Sequence, residues 1–456
     1  GHIPALDHWT PGDPSSMECV PNHAPADPQN PGSGANPNCL GWIDPNPISN
    51  LDNAGHNYFL SQNPYTLNSY AGFGEVYYNV LSDLKLTGGL RWTDDQKHFT
   101  LIPSELLAQG YGYAAIGVVD QDWQKFTGRF AANWTPKLDF TDQTLVYASY
   151  ARGYKAGGAN PPGAPLYAYG AGFRGIPIHP LTFRPEFINA YELGTKNTLF
   201  DGALTLNADA FFYDYKDYQI SEIVDRTSIN LNFDATVKGA ELEATYEPVP
   251  GLKLHFAGGY EHTRMADGSN SVDLMDRTAG TPGWVMMKPF VTQSSNCIFP
   301  AYVVAAMIEG GNQGSQGNSA VSSCGLYGSD IDPVTLLPYK ADPTVSNYAN
   351  IPAGYPGFDP RTAPNGGAGF SKDLSGNELP NAPRFTASFS TDYTIPVTPD
   401  WAATLHGDYY WQDYSWARVF NDKPYDRLRG YTNVNLALIL TSQNGWQVMG
   451  YLKNVF

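Results

Sequence analysis

The sequence predicts an all-β protein whose strands form an antiparallel transmembrane β-barrel. Three features predict this fold: apolar residues recur at every second position, short turns alternate with long loops, and charged residues are scarce. Charged residues make up 16% of the 456 residues and aromatic residues 14%, whereas an ordinary soluble domain has roughly 25% charged residues. The longest apolar run, around Ile298–Ile308, is too short for a membrane helix, which needs roughly 18 apolar residues.

The strand period is clearest in Leu84–Trp92, where leucine, glycine and tryptophan alternate with lysine, threonine, glycine and arginine. Successive side chains of a strand point to opposite faces, so one face of this segment is apolar and the other carries charge. The same period recurs in Phe126–Trp134, Leu204–Phe212 and Phe385–Tyr393. These segments exceed the ~5–6 residues of a typical globular strand, and their charged face suits a water-filled lumen.

The connections between these segments alternate in length. Tight turns are predicted near 82–83, 136–139, 201–202, 248–251, 398–400 and 444–445, and longer loops at 99–118, 157–185, 217–229, 266–382 and 413–427. This asymmetry is typical of transmembrane barrels, whose two ends face different compartments. We predict a loop segment at 1–64 and about twelve barrel strands at 65–456, with a long extracellular loop at 266–382. Aromatic residues near the tight turns predict an interfacial girdle: Trp134, Tyr246, Tyr393, Trp401 and Trp446.

The four cysteines fall into two local pairs, Cys19/Cys39 and Cys297/Cys324, inside segments rich in proline, glycine, asparagine and serine. This spacing favours two disulfides and an oxidising compartment. Four unpaired thiols are the alternative. Zinc-ligand spacing is absent.

Charge and motifs exclude several function classes. The formal net charge of −17 argues against a nucleic-acid partner. Serine-hydrolase elbows, phosphate-binding loops and His-Glu-x-x-His helices are absent from the sequence, so neither an enzyme nor a cofactor is predicted. The first loop holds His2, His8, His23 and His56 among acidic residues, but no ligand spacing defines a metal geometry.

Several short motifs occur in a fixed order along the chain. They are Leu145–Gly158 (LVYASYARGYKAGG), Arg184–Glu186 (RPE), Ala190–Lys196 (AYELGTK), Phe200–Asp217, Val237–Glu243 (VKGAELE), Pro383–Phe385 (PRF) and Tyr451–Phe456 (YLKNVF). Each motif is weak alone, but the ordered set resembles the barrel of TonB-dependent outer-membrane receptors and spans most of the chain outside its long loops.

The resemblance implies a barrel of ~22 strands, of which about half are visible. The family's N-terminal plug, its TonB-contacting segment and the strand after 454–456 are not found, so we expect an internal portion of a receptor. The implied function is to bind a scarce ligand outside the cell and import it with energy from the inner-membrane TonB complex. The implied location is the outer membrane of a Gram-negative bacterium, in contact with its lipid.

A ferric siderophore is the expected ligand because iron uptake is the family's commonest role; cobalamin, haem and oligosaccharides stay open. Two other functions are weighed: a secreted β-sandwich binding or adhesion module, and a passive porin-like channel.

Arginine and tyrosine suit anionic, aromatic iron complexes, so such residues in the long loops and upper lumen are the candidate ligand contacts. They are Arg152, Tyr154, Lys155, Tyr167, Tyr169, Phe173 and Arg174, with Tyr409, Tyr410, Trp411, Tyr414, Trp416 and Arg418. An outer interfacial belt is the alternative reading of these aromatic residues. Glu192, Lys196, Glu241 and Glu243 are expected to neutralise one another on the lumenal wall rather than to bind ligand.

Overall fold

The computed structural model describes residues 65–101, 117–160, 182–224, 227–287, 297–305 and 363–455. One twelve-stranded sheet dominates them. Its strands are β1 (Tyr65–Asn79), β2 (Leu84–Leu101), β3 (Gly117–Trp134), β4 (Gln143–Lys155), β7 (Glu186–Leu199), β8 (Leu204–Val224), β9 (Thr227–Val249), β10 (Leu252–Met265), β15 (Phe385–Thr398), β16 (Trp401–Gln412), β19 (Tyr431–Ser442) and β20 (Gln447–Leu452).

The remaining elements are short and lie in the long connections. They are β5 (Gly158–Ala159), β6 (Thr182–Phe183), β11 (Asn270–Val272), β12 (Trp284–Met287), β13 (Cys297–Pro300), a 3₁₀ helix (Pro364–Gly367), β14 (Ser371–Asp373), β17 (Ser415–Trp416), helix α1 (Lys423–Asp426) and β18 (Arg427–Leu428). Among the described residues, no helix has the length and apolarity needed to cross a membrane.

The sheet is an antiparallel meander in which each strand pairs with the sheet strands before and after it in the sequence. β1 and β20 are the outer strands and each has one neighbour, so the described sheet is open. A β-sandwich needs two sheets packed face to face. The single continuous sheet therefore excludes the sandwich alternative for the described residues.

The two faces of the sheet differ as the sequence period predicts. On the face that we call the apolar face, Leu90 and Leu193 are about three-fifths exposed, at 61% and 60%. The opposite, polar face carries ion pairs such as Arg129 Nη2 to Glu75 Oε1 at 2.5 Å. Large apolar side chains are normally buried in globular proteins. Eleven of the twelve sheet strands carry exposed large apolar side chains, which is typical of a lipid-facing barrel wall.

Aromatic residues mark the end of the sheet where the tight turns lie. Trp134, Tyr246, Tyr393 and Trp446 are exposed there, and Trp401 is half-buried. Aromatic rings favour the boundary between lipid and water because they combine an apolar body with a polar atom. The predicted interfacial girdle is therefore present at the tight-turn end.

Glycine conformation defines the turn between β9 and β10. Gly251 has a φ of +85°, and a Cβ atom there would lie 2.4 Å from the carbonyl oxygen of Thr394. Glycine alone adopts positive φ without steric cost and alone permits this close approach. At Gly202, between β7 and β8, φ is +87° but no heavy atom lies within 4 Å of the added Cβ.

The predicted long loop at 217–229 is wrong. β8 continues to Val224 and β9 begins at Thr227, after a register shift between Tyr215 and Tyr218. The ladder of β7 stops opposite Lys216 and that of β10 opposite Ala235, so the hairpin 218–233 projects beyond both neighbouring strands. It stays in strand conformation because Ile220 and Ile229 are buried, at 7% and 1% exposure.

The long connections fold over this projecting hairpin. We call this structure the cap, and it comprises residues 266–287, 297–305, 363–384 and 413–430. A buried apolar cluster joins the cap to the sheet, with partly buried aromatic residues packed around it. Its buried members are Ile220, Ala235, Val237, Met265, Leu374, Leu379 and Val419. The hydrophobic core therefore lies at the loop end, where it fixes the cap over the polar face.

Candidate functional site

Carboxylates form a row across the polar face, on the strands β7, β8, β9 and β10. Asp209 and Glu241 are direct partners across the β8–β9 ladder, and Glu192 on β7 accepts a 2.5 Å hydrogen bond from the hydroxyl of Tyr147. Like charges that face each other directly on a sheet are destabilising. We call Glu192, Asp209, Glu241 and Glu261 the acidic row; its chemistry suits contact with cations.

Lys196 also lies on this wall, with its Nζ 5.9 Å from the ring centroid of Tyr147. Further along the polar face, His406 Nδ1 lies 2.7 Å from Asp392 Oδ1 and its Nε2 lies 3.3 Å from Asp408 Oδ1. This imidazole is held between two carboxylates. Because Asp392 and Asp408 both contact this one histidine, negatively charged groups outnumber the positively charged one at this contact.

Aromatic side chains line the wall between the acidic row and the cap. The rings of Phe211 and Tyr213 stack at 4.8 Å, and those of Tyr215 and Tyr218 meet edge to face at 5.0 Å. All four pack against the buried apolar cluster. All four rings offer flat apolar surfaces that can stack on a ligand, and the three tyrosines carry hydroxyl groups that can donate hydrogen bonds to it.

A buried ion-pair network holds the cap together. Arg418 contacts Asp273 and Asp426, each at 2.6 Å, and Lys372 contacts Asp273 at 3.0 Å and Asp276 at 2.9 Å. Burial alone would raise the pKa of Asp273, but hydrogen bonds from Arg418 and Lys372 outweigh it and lower that pKa below its ordinary value. Asp273 therefore stays charged and paired.

A second polar contact joins the two loops of the cap. Glu378 accepts a hydrogen bond from the indole Nε1 of Trp416 at 2.7 Å and pairs with Arg384. The side-chain amide of Asn377 donates to the carbonyl oxygen of Val419 at 2.8 Å. Because these residues come from both sides of β15 and β16, the contacts connect loop 266–384 to loop 413–430.

Glu222, near the tip of the projecting hairpin, faces this network. Its Oε1 is buried without a hydrogen-bond partner. Burial and the nearby charge of Asp273 raise the pKa of Glu222 to about 7, while Arg418 acts in the opposite direction. The hairpin tip lies beyond the strands adjacent to it, so this group is outside the wall that those strands form.

The structure distributes the predicted ligand contacts differently from the sequence expectation. Arg152 donates to Asn189 Oδ1 at 3.0 Å, and its guanidinium lies 4.6 Å from the centroid of Phe187. It shares a strand face with Tyr150, which contacts Tyr191 on the apolar face. Arg152 therefore lies on the apolar side of the wall, not in the upper lumen.

Tyr409 and Trp411 occupy the same strand face as Leu405, which is 59% exposed, so they too lie on the apolar face. This placement matches the belt alternative for these aromatic residues. Tyr410 points to the polar face, 5.8 Å from Tyr431 between ring centroids. Lys155 lies 3.9 Å from Glu186 and keeps an exposed side chain.

Of the other predicted contacts, Tyr414, Trp416 and Arg418 lie in the cap, and Tyr154 lies at the end of β4. Tyr154 packs on Phe187 at 5.5 Å. Trp416 is buried, at 7% exposure, and Arg418 is engaged in the ion-pair network, so neither is free to bind a ligand in this conformation. Tyr414 lies under the guanidinium of Arg427 at 4.3 Å. Tyr167, Tyr169, Phe173 and Arg174 lie outside the described residues.

Sequence reasoning missed the groups that build the cap: Asp273, Lys372, Glu378 and Glu222. Glu222 lies in the stretch predicted as a loop and the other three lie in long connections, and the Arg418–Asp273 pair joins residues 145 positions apart. The signal that identifies them is tertiary contact, which a single sequence does not contain.

Two further predictions bear on cysteines and metals. Cys297 is fully buried and no described cysteine is a free thiol, but Cys19, Cys39 and Cys324 lie outside the described residues, so both pairings stay predictions. The described residues contain no group of three or more His, Cys, Asp or Glu side chains able to hold a metal ion. The histidines of the first loop are outside them.

Comparison with known proteins agrees with this architecture. The family model "TonB dependent receptor-like, beta-barrel" matches residues 22–287, more than half of the chain. The ferric yersiniabactin uptake receptor FyuA of Yersinia pestis matches over 86% of this chain and 41% of its own, with 16% identity and a TM-score of 0.49. The ferric-catecholate import receptor Fiu of E. coli K12 matches over 86% of this chain and 41% of its own, with 13% identity and a TM-score of 0.46.

The copper transporter OprC covers 86% of this chain and 42% of its own, with 13% identity and a TM-score of 0.48. This chain thus spans about two fifths of the length of these structures. The family match, the apolar lipid-facing wall and the asymmetric connections together show that the chain belongs to the TonB-dependent receptor β-barrel family of the Gram-negative outer membrane.

Proposed function

We propose that this chain forms part of the wall and the extracellular cap of a transporter that binds a scarce nutrient at the cell surface and imports it with energy from the TonB complex. The observation that carries the proposal is the cap, fixed by buried ion pairs above a polar wall. A passive pore does not require a rigid cap over its entrance, whereas a receptor requires a shaped surface that binds the ligand before transport.

We propose a ferric siderophore as the ligand, on the family's commonest role. Aromatic residues below the cap, Tyr213, Tyr215 and Tyr410, and the exposed Lys155 are the contacts that we favour among the described residues. They combine stacking surface with hydrogen-bond donors and a cation, which anionic aromatic iron complexes require. Arg174 and Tyr169 stay candidates from the sequence.

The acidic row supports a second part of the proposal. The carboxylates of Asp209 and Glu241 face each other across the ladder, so a positive charge nearby would reduce their repulsion. The plug domain that TonB-dependent receptors carry inside the barrel would supply it through basic side chains, and the acidic row would then position the plug rather than the ligand. This assignment explains why an acidic wall is compatible with an anionic ligand.

The proposal is tested by uptake in living cells. The gene is deleted and restored, and uptake is measured in cells with and without a functional TonB system. The panel contains ferric siderophores, haem, cobalamin, copper and an oligosaccharide, each carrying its own radiolabel. We expect uptake of one ferric complex to need both the gene and TonB. Uptake that persists without TonB would support the porin-like alternative, and uptake restricted to cobalamin, an oligosaccharide or copper would overturn the siderophore assignment.

Abundance gives an independent readout. We expect more of this protein in the outer membrane of iron-starved cells than in iron-replete cells. Constant abundance under both conditions would argue for a nutrient other than iron.

A further inference from the structure

A small basic surface stands out on the extracellular side of this acidic chain. The whole sequence has a formal net charge of −17, yet Lys423, Arg427 and Arg429 fall within seven residues and are all exposed. Tyr425 and Leu428 between them are 75% and 42% exposed. We call these five residues the basic patch.

The charge of the basic patch is not neutralised by the described acidic residues. None of its three cations forms an ion pair with a carboxylate among the residues that the structure describes. The nearest acid in sequence, Asp426, is 1% exposed and is taken up by Arg418 at 2.6 Å and by the backbone amide of Asp422 at 3.0 Å. The patch therefore presents positive charge and unused N–H donors to solvent.

The scaffold below the patch is rigid. The amide of Ala417 donates to the carbonyl oxygen of Asp426 at 2.7 Å, and Arg427 pairs with Trp416 across the β17–β18 ladder. Gly430 lets the chain pass against β16, because a Cβ there would lie 2.6 Å from the carbonyl oxygen of Gln412. Preorganised donors lose little conformational entropy when they bind.

The height of the patch matches the lipid headgroups. Tyr431, directly after it, pairs with Gln412 at the outer end of β16. A twelve-residue strand that rises ~3.3 Å per residue and tilts ~40° spans about 30 Å, the thickness of a hydrocarbon core. Below the patch, Leu405 and Tyr409 face outward on the apolar face, 59% and 42% exposed.

We propose that the basic patch binds the phosphate groups of an anionic glycolipid in the outer leaflet of the outer membrane. Arginine and lysine provide charge-assisted donors for phosphate, and the exposed Tyr425 and Leu428 suit the polar boundary of the bilayer. Charge complementarity selects this occupant, since an acidic protein in an anionic leaflet needs a local cationic contact. The proposal depends on the outer-membrane location and not on the identity of the transported nutrient.

The test uses the protein purified from its native outer membrane. Retained lipid is counted by native mass spectrometry, and affinity is measured in nanodiscs that contain a phosphorylated lipopolysaccharide, its dephosphorylated form or a zwitterionic phospholipid. The variant K423Q/R427Q/R429Q is compared with K85Q/K137Q/K253Q, which removes three exposed cations at the tight-turn end. At about fivefold per cation, we expect about a hundredfold weaker binding of the phosphorylated lipid in the first variant only.

Several results would overturn the proposal. Equal retention in both triple variants, or equal affinity for phosphorylated and dephosphorylated lipid, would remove the phosphate contact. If inorganic pyrophosphate displaced the lipid fully at a similar concentration, the ligand of the patch would be a soluble phosphate and not a lipid. Loss of nutrient uptake with unchanged lipid binding would assign the patch to ligand capture. Unchanged heat-dependent gel mobility of each variant establishes that the barrel is folded.

Discussion

Loss of Arg418 provides the sharpest test of the cap. We consider Arg418→Met, which keeps most of the side-chain volume and removes the charge. In the native protein Arg418 pairs with Asp273 and Asp426 at 2.6 Å. Asp273 retains Lys372 at 3.0 Å, but Asp426, at 1% exposure, loses its only cation among the described residues.

The magnitude follows from the burial of Asp426. Removal of one partner from a buried ion pair costs about 3–5 kcal/mol because the other charge stays desolvated. Arg418 itself is 26% exposed on its side chain, so water relieves part of that cost and we expect the lower end, about 3 kcal/mol, for opening of the cap. Because this pair lies in the cap, the strands below the projecting hairpin should keep their stability.

Hydrogen exchange of the backbone amides measures this local opening. A loss of about 3 kcal/mol corresponds to roughly a hundredfold faster exchange at 1.4 kcal/mol per tenfold, and we expect it at amides held inside the cap, such as those of Ala417 and Asp426. Exchange in the parts of β8 and β9 below the projecting hairpin should be unchanged. Limited proteolysis of folded protein should show new cleavage within 413–430.

The control is Arg429→Met, a neighbouring exposed arginine that has no ion pair among the described residues. Surface substitutions of this kind usually change stability by less than about 0.5 kcal/mol. If the Arg418 and Arg429 variants exchanged at the same rate, the buried pair would contribute nothing to the cap and our account of its rigidity would be refuted.

Three further predictions concern pH, backbone strain and the membrane. The folded pKa of Glu222, about 7, exceeds the ordinary ~4.3, so the cap should lose stability as pH rises from about 4 to 7. The free energy of cap opening, obtained from exchange rates divided by the intrinsic rate at each pH, should lack this dependence in Glu222→Gln. A Cβ atom at Gly251 would clash with the backbone, whereas one at Gly202 would not. We therefore expect Gly202→Ala to lower the free energy of unfolding in urea by ~1 kcal/mol and Gly251→Ala to lower it by well over that amount. Equal costs would contradict the reasoning. Leu193→Arg, at the middle of β7 on the apolar face, should destabilise the protein in lipid by about 2–4 kcal/mol, whereas Asn207→Arg on the polar face should not; the same urea titration in vesicles measures both.

The sequence alone determined the wall of this protein. A strand repeats every two residues, so Leu84–Trp92 and Leu204–Phe212 revealed both faces of the sheet without any knowledge of neighbouring strands. Tight turns carry local chemistry such as Gly202 and Gly251, which made the strand order of the meander predictable. The order of short motifs then sufficed for the family.

Tertiary structure decided the cap and the fate of the candidate site residues. Arg418 looked available in the sequence, but Asp273, 145 residues away, occupies it. Arg152 was expected in the lumen, but it pairs with Asn189, which shares the apolar face with Tyr191. Neighbouring residues of a strand lie on opposite faces, so an error of one residue in the assignment exchanges the two faces. Irregular loops have no period and their contacts join distant parts of the chain, so only the folded molecule reveals which of their charges are paired.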